Sequence, residues 1–277
     1  MTDDASLAPG APFDLVAGVD ALRSGHGPLF AVVGVFDGLH LGHRWLLEAL
    51  LMHAERFSAR PAVITFDSHP DEVLVGAAPP LLLDPADRLR LLQDAGVALV
   101  VVQHFDEVLR RTPYEEFVGR ITARTRLAGL LMTPDTAFGH ERLGTPDALA
   151  ELAGRTDPPF EVVVVPQFAL DGRPVSSSEI RRLVQSGALA EAGRLLGRPY
   201  SVAGAREEPL GVSTSVPVSF PLPVALPPAG AYGVTVVDAV LPGPAGPAIA
   251  TIRGEPPSIE VAGELVPVAP RLRIVFD

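Results

Sequence analysis

Val33-Gly-Val-Phe-Asp-Gly-Leu-His-Leu-Gly-His43 is the stretch on which the fold turns. An apolar run, Phe30 to Phe36, leads into it, and an apolar segment with Trp45, Leu46, Leu47, Leu50 and Leu51 follows it. A strand that breaks into a glycine-rich turn and then a helix N-terminus gathers unpaired backbone N–H groups at the positive end of the helix dipole, and so favours a phosphate. Gly34, Gly38 and Gly42 let the backbone come close to such a group. His40 and His43 can both face one phosphate, where imidazole donors would stabilise the charge that develops in nucleotidyl transfer. A zinc reading of the two histidines lacks a cysteine or a third ligand at suitable spacing.

Outward from this turn, further apolar runs recur at Ala62 to Phe66, Ala98 to Phe105, Leu127 to Thr133 and Phe160 to Phe168. Runs apolar on both faces read as buried strands of a mostly parallel sheet. Helix signals lie between them. Asp84-Pro85 opens a segment closed by Gly96; Thr112, Pro113 and Glu115 read as a capping box; Thr145-Pro146 opens another helix ending near Gly154. Alternating β and α segments with five strands predict an α/β, Rossmann-like doubly wound fold whose ligands sit at the carboxyl ends of the strands. Past Tyr200 the helix signals stop, and residues 207 to 277 hold 13 of the 29 prolines. A small all-β domain is expected from about residue 206, after a nucleotide-binding domain over 1–205.

Composition narrows the classes of function. The 277 residues are 47% hydrophobic, enough for a substantial core. A formal charge of −11 opposes a broad grip on nucleic acid. No apolar run reaches membrane-spanning length, and the opening MTDDASLAPGAP lacks the basic start and apolar stretch of a signal peptide, so a cytoplasmic protein is expected. With no cysteine, disulfides and thiolate metal sites are excluded. All 22 basic residues are arginine, so any cationic phosphate contact is a guanidinium.

Gly34 to His43 resembles the signature of the nucleotidylyltransferase superfamily, and its Phe-Asp-Gly version is similar to the N-terminal half of bacterial bifunctional riboflavin kinase/FAD synthetases. Thr65-Phe-Asp-Ser-His-Pro70, Phe105-Asp106, Glu115-Glu-Phe-Val118 and Gly197-Arg-Pro-Tyr200 follow that family in the same order, so the resemblance covers about residues 14 to 206. It implies transfer of AMP from ATP, carried with Mg2+, to FMN, giving FAD and pyrophosphate. Phe36 and Asp37 join the three glycines as implied nucleotide contacts. Val175-Ser-Ser-Ser-Glu-Ile-Arg181 is similar to a second family element, which makes Ser176, Ser177 and Ser178 nucleotide-binding and Arg181 a catalytic contact to the β- and γ-phosphates. Glu179 stands where the family has an arginine. Thr133-Pro-Asp-Thr-Ala-Phe-Gly139 aligns with a stretch bordering the flavin, so Phe66, His69, Asp135 and Phe138 are the implied flavin contacts. Thr133 and Thr136 replace a glycine and an aromatic there.

The C-terminal part departs from the family. Ser219-Phe-Pro-Leu-Pro-Val224 puts Leu222 and Val224 where threonine and asparagine hold magnesium and phosphate, and neither can ligate a hard cation. Gly230-Ala-Tyr-Gly-Val234 resembles a family strand, and Glu260 falls near the catalytic glutamate. The expectation is a flavokinase-like barrel remnant without kinase activity, whose job is structural: packing on the transferase part or helping a homo-oligomer assemble. Two other readings stay open, transfer to a different phosphorylated acceptor and a flavin- or nucleotide-binding regulator.

Overall fold

The computed structural model describes residues 13–207, 215–241, 245–254, 258–264 and 266–277. The segment weighed above as a signal peptide lies outside them. Contacts divide the chain into two units. The first takes the described residues up to Phe36, then Gly42–Pro79 and Leu89–Phe168; the second takes Asp37–Leu41, Pro80–Arg88 and Ala169–Asp277.

The first unit is built on six parallel strands, β1 (Asp14–Ala17), β2 (Leu29–Val33), β3 (Arg60–Phe66), β4 (Leu99–Gln103), β5 (Leu127–Met132) and β6 (Glu161–Val164). Their order is β1-β4-β3-β2-β5-β6, so the winding reverses between β2 and β5. Helices α1 (Leu41–Arg56), α2 (Asp71–Leu74), α3 (Pro85–Asp94), α4 (Glu107–Arg111), α5 (Tyr114–Thr122) and α6 (Pro146–Arg155) connect them. Both faces of the sheet are covered, which is why the strands are continuous apolar runs. Leu29 and Ala31 of β2 join Ala62, Ile64, Leu99, Val101, Leu130 and Met132 in one core with Phe117, Val118 and Ile121 of α5 and Leu149 of α6. On the opposite side Phe30 stacks on His53 and Phe57 at 5.7 and 5.4 Å, at the end of α1.

The five expected strands form, and a sixth, β1, was not read from the sequence. Its four residues are held by parallel pairing with β4, which no local pattern announces. At α6 the cap forms as written, Thr145 Oγ1 accepting from the Ala148 N–H at 3.3 Å with Pro146 in the first turn. The capping box at Thr112 does not. Thr112 Oγ1 donates back to Val108 O at 2.8 Å, ending α4, and α5 begins at Tyr114 with no side-chain cap.

The second unit carries a two-stranded hairpin, β7 (Ala169–Leu170) and β8 (Arg173–Pro174), then α7 (Ser177–Gln185) and α8 (Leu189–Leu196). A closed barrel follows, of β9 (Ser201–Arg206), β10 (Ser215–Ser219), β11 (Gly230–Asp238), β12 (Gly246–Arg253), β13 (Ser258–Ala262) and β14 (Arg271–Phe276). The barrel therefore starts at Ser201, a strand earlier than composition suggested. Its alternating inward residues, Val216, Val234, Val236, Ala250, Ile252, Val261, Leu272 and Ile274, are all buried. Tyr200 is wholly enclosed, its hydroxyl donating to Ala225 O at 2.5 Å and its ring stacked on Phe276 at 5.9 Å. Burial pushes the Tyr200 phenol well above its ordinary range.

Candidate active site

In the first unit a cavity of about 610 Å³ opens at the carboxyl ends of the strands, where a doubly wound sheet places its ligands. Val33, Gly34 and Val35 at the end of β2 line it, with Phe66 and His69 after β3, Phe105 after β4, and Thr136 and Phe138 after β5. The aromatic walls are packed edge to face, Phe66 on Phe105 at 5.3 Å and Phe117 on Phe138 at 5.7 Å. Asp67 clips the first pair: its carboxylate meets His104 Nδ1 at 2.6 Å and accepts the Phe105 N–H at 3.3 Å. Hydrogen bonding to that carboxylate raises the His104 pKa above its ordinary value. His69 Nδ1 accepts the Asp71 N–H at 3.2 Å.

Gly139 shows why this wall is a glycine. Its φ is +78°, and a Cβ there would lie 2.7 Å from the Tyr114 backbone nitrogen. Of the expected flavin contacts, Phe66, His69 and Phe138 line the cavity and Asp135 does not. The Thr133 N–H donates to Thr136 Oγ1 at 3.2 Å, the Thr136 N–H donates to Thr133 O at 3.0 Å, and the two hydroxyls meet at 2.7 Å. This lock leaves Pro134 and Asp135 exposed at the tip of a turn. Arg110, His140 and Arg142 also border the cavity with no motif pointing to them, as does Phe117 of the Glu115-Glu-Phe-Val118 element.

Phe36 and His43 meet in the same unit, ring centroids 5.0 Å apart. Gly42 and His43 lie in the first turn of α1, so its unsatisfied N–H groups are at hand for an anion.

The rest of the turn belongs to the second unit. Phe36, Gly38 and Leu39 all take positive φ, at 55°, 80° and 40°. Two of the three are not glycine, and such strain, about 1–3 kcal/mol each, persists only where surroundings over-determine it. They do so here. The Asp37 carboxylate, 2% exposed, accepts the N–H groups of Leu82 at 3.0 Å and Leu83 at 3.1 Å and pairs with Arg181 Nη2 at 2.9 Å. Ser177 Oγ donates to Asp37 O at 2.8 Å. Arg198 donates to Gly38 O at 2.7 Å and to Leu39 O at 3.2 Å. A Cβ on Gly38 would meet Leu82 at 3.1 Å.

Two of the expected site residues are held within this turn. The carboxylate of Asp37 and the Nε and Nη2 of Arg181 face each other and the chain at Pro80 and Leu82, not outward, because an unpaired buried charge is costly. They build the turn. Ser176 caps α7, its Oγ accepting the Glu179 N–H at 3.3 Å, while Ser178 is exposed. Glu179 takes both arms of Arg182, at 2.7 and 2.9 Å. Arg198, which the sequence shows only as part of Gly197-Arg-Pro-Tyr200, was not among the expected site residues.

His40, 5% exposed, ends this turn. Burial, and then the positive charge of Arg198, push its pKa down to about 4, so its imidazole is neutral at neutral pH. Among the described residues no three of His, Asp and Glu gather as a metal site. Nor is any helix among them long and apolar enough to cross a membrane.

Residues 23–179 match the FAD synthetase family. The chain belongs to the FAD synthetase family. Among curated relatives, a bifunctional riboflavin kinase/FMN adenylyltransferase of Pseudomonas fluorescens is 33% identical over 191 residues, 69% of this chain and 61% of that protein. Its namesake in Haemophilus influenzae is 32% identical over 174 residues, 62% of this chain and 56% of that protein. The match thus spans less than two thirds of these relatives. A crystal structure named as a macrolide-efflux protein from Streptococcus pneumoniae has a TM-score of 0.78 at 22% identity, covering 96% of this chain and 90% of that one, a likeness of fold alone. Placed on the FAD synthetase match, the glycine-rich turn, the cavity walls and Ser176 to Ser178 all fall within residues 23–179, while Arg181 and Arg198 lie just beyond.

Proposed function

We propose that this FAD synthetase family member is an FMN adenylyltransferase, joining AMP from ATP to the phosphate of FMN. The observation that carries the reading is the aromatic-walled cavity at the ends of β2 to β5, whose size and apolar lining suit an isoalloxazine ring. Its wall at Val33 to Val35 runs on in sequence into the turn that holds His40 and His43.

In the reaction, a phosphate oxygen of FMN attacks the α-phosphorus of ATP. The new P–O bond forms as the bond to the β-phosphate bridging oxygen breaks, and pyrophosphate leaves. The FMN phosphate is already ionised, so no general base is required. His40 and His43 are assigned to the α-phosphate, stabilising charge as it builds there. His40 does this as a neutral imidazole donating one N–H. The first-turn N–H groups of α1, with Gly34, Gly38 and Gly42, are assigned to the phosphates, as is the exposed hydroxyl of Ser178 at the start of α7, while the Ser177 hydroxyl, given to Asp37 O, helps to hold the turn. Mg2+ arrives with ATP as part of the substrate. Asp37 and Arg181 act by fixing the turn.

We infer that the barrel lacks riboflavin kinase activity: Leu222 is half exposed, Val224 forms a β-bridge to Leu81, and neither side chain ligates a hard cation. Incubation with ATP, Mg2+ and either FMN or riboflavin, followed by chromatography of the flavins, tests both parts. FAD from FMN and nothing from riboflavin is expected. FMN from riboflavin would overturn the kinase inference, and no FAD would overturn the transferase. The hydroxyl lock at Thr133 and Thr136 favours a second reading, another phosphorylated acceptor, which pyrophosphate release with other phosphate esters would reveal.

A further inference from the structure

Residues 80–83 run between two partners within the second unit. On one side Leu81 bridges Val224 of the β10–β11 connection in parallel register: the Leu81 N–H donates to Pro223 O at 2.8 Å, and the Ala225 N–H donates to Leu81 O at 2.8 Å. On the other side the next two N–H groups, of Leu82 and Leu83, donate to the Asp37 carboxylate, and Pro80 O accepts from Arg181 Nε at 2.7 Å. One short segment, bridged at Leu81 and bent at Leu82 and Leu83, thus joins the barrel to the histidine turn. Its continuation is tied down again. Asp84 pairs with Arg271 at 2.7 Å, and Asp87, 7% exposed, takes the guanidinium of Arg273 at 2.5 and 2.8 Å. Both arginines stand on β14.

We propose that the C-terminal barrel is a positioning scaffold for the Asp37–His40 turn, acting through residues 80–88. The segment at 80–83 fits this task because Leu81 gives both its N–H and its C=O to the barrel connection, and a bend at Leu82 and Leu83 then turns the next two N–H groups onto the Asp37 carboxylate. Leu81 faces the barrel and Leu82 and Leu83 present their N–H groups to Asp37, so displacement at one edge moves the other. A strained turn with positive φ at Leu39 needs such support. Val224, at a position where the resemblance expects a metal-binding asparagine, is here the bridge partner. The scaffold accounts for a closed, well-packed barrel in which positions 222 and 224 hold leucine and valine.

Native-state hydrogen exchange on the full chain tests this directly. The Leu82 and Leu83 amides should open with the barrel amides of β11 and β14, sharing their denaturant dependence, because they belong to one cooperative unit. Exchange in step with β2 to β4 instead would overturn the scaffold. The double variant Arg271→Ala/Arg273→Ala should speed exchange at Leu82 and Leu83 by about 10- to 100-fold while β11 and β12 stay protected. Unchanged exchange there would also refute it, and if that variant does not fold, Arg273→Lys with its partial loss of contact decides. The consequence for catalysis rests on the adenylyl-transfer reading: kcat for FAD formation should fall at least about tenfold with KM for FMN unchanged, since no residue of the cavity wall is among those altered. A fall in neither, or in KM alone, counts against the scaffold. Absence of FAD formation by the unaltered chain would defeat the transferase reading and leave the exchange result to judge the scaffold.

Discussion

Replacing Asp37 with alanine removes the acceptor of three donors at once. The N–H groups of Leu82 and Leu83, at 3.0 and 3.1 Å, lose their partner, and Arg181, whose side chain is 10% exposed, keeps its charge with only Pro80 O at 2.7 Å. Breaking a buried pair by removing one partner costs about 3–5 kcal/mol. The two orphaned amides would push the loss to the upper part of that range, and the surviving Pro80 contact would pull it down, so about 4 kcal/mol is the working value. At about 2–4 °C per kcal/mol for a domain of this size, the melting temperature should drop by about 8–16 °C, read by circular dichroism. The pairing account makes a sharper claim through a double-mutant cycle. Arg181→Met in the Asp37→Ala background removes the stranded cation, so the double variant should be more stable than the sum of the single losses implies, by about 0.5–3 kcal/mol. A single loss below about 1 kcal/mol, or strict additivity, would refute the reasoning, because Asp37 would then not be holding a buried charge.

His40 adds a pH signature. Its folded pKa of about 4 lies below the ordinary value of 6.5, so the unfolded chain takes the proton first; its contribution is complete above about pH 6.5 and is lost as pH falls through 4, to a total of about 3 kcal/mol. Urea titrations at pH 7 and pH 5 should show His40→Gln losing less stability on acidification than the unaltered chain, and equal losses would contradict the burial account. Replacing His43 with alanine should cut turnover by about 10²- to 10³-fold with little change in melting temperature, and unchanged turnover would remove it from the chemistry. Phe66→Ala opens the Phe66–Phe105 wall of the cavity and should weaken FMN by about 1–2 kcal/mol, or about 5- to 30-fold, in a flavin fluorescence titration, whereas unaltered affinity would place the ring elsewhere. Arg198→Ala frees the carbonyls of Gly38 and Leu39, so kcat should drop with KM for FMN unchanged, and Arg198→Lys should recover part of it; a KM effect alone would argue against a role in shaping the turn.

What the sequence determined by itself is what short-range physics controls. Apolar runs on both faces could only be buried strands, proline and threonine at 145–146 wrote their own helix start, and a strand breaking into three glycines and two histidines announced an anion site. The small all-β part was likewise legible from the loss of helix signals past Tyr200 and the concentration of prolines. Tertiary structure decided which polar groups look inward. Asp37 and Arg181 read as ligands because a motif records that a charged residue is required without saying whether it faces substrate or a neighbour 144 positions away. Asp135 left the cavity wall because two threonine hydroxyls closed a turn beneath it. Arg198, Leu82 and Leu83 carried no local signal, since their work is done by hydrogen bonds to backbone atoms distant in sequence, and β1 is a strand only because β4 offers it an edge. Side-chain type and spacing encode local conformation; the direction in which a charge points is set by which desolvated partner the completed fold brings to it.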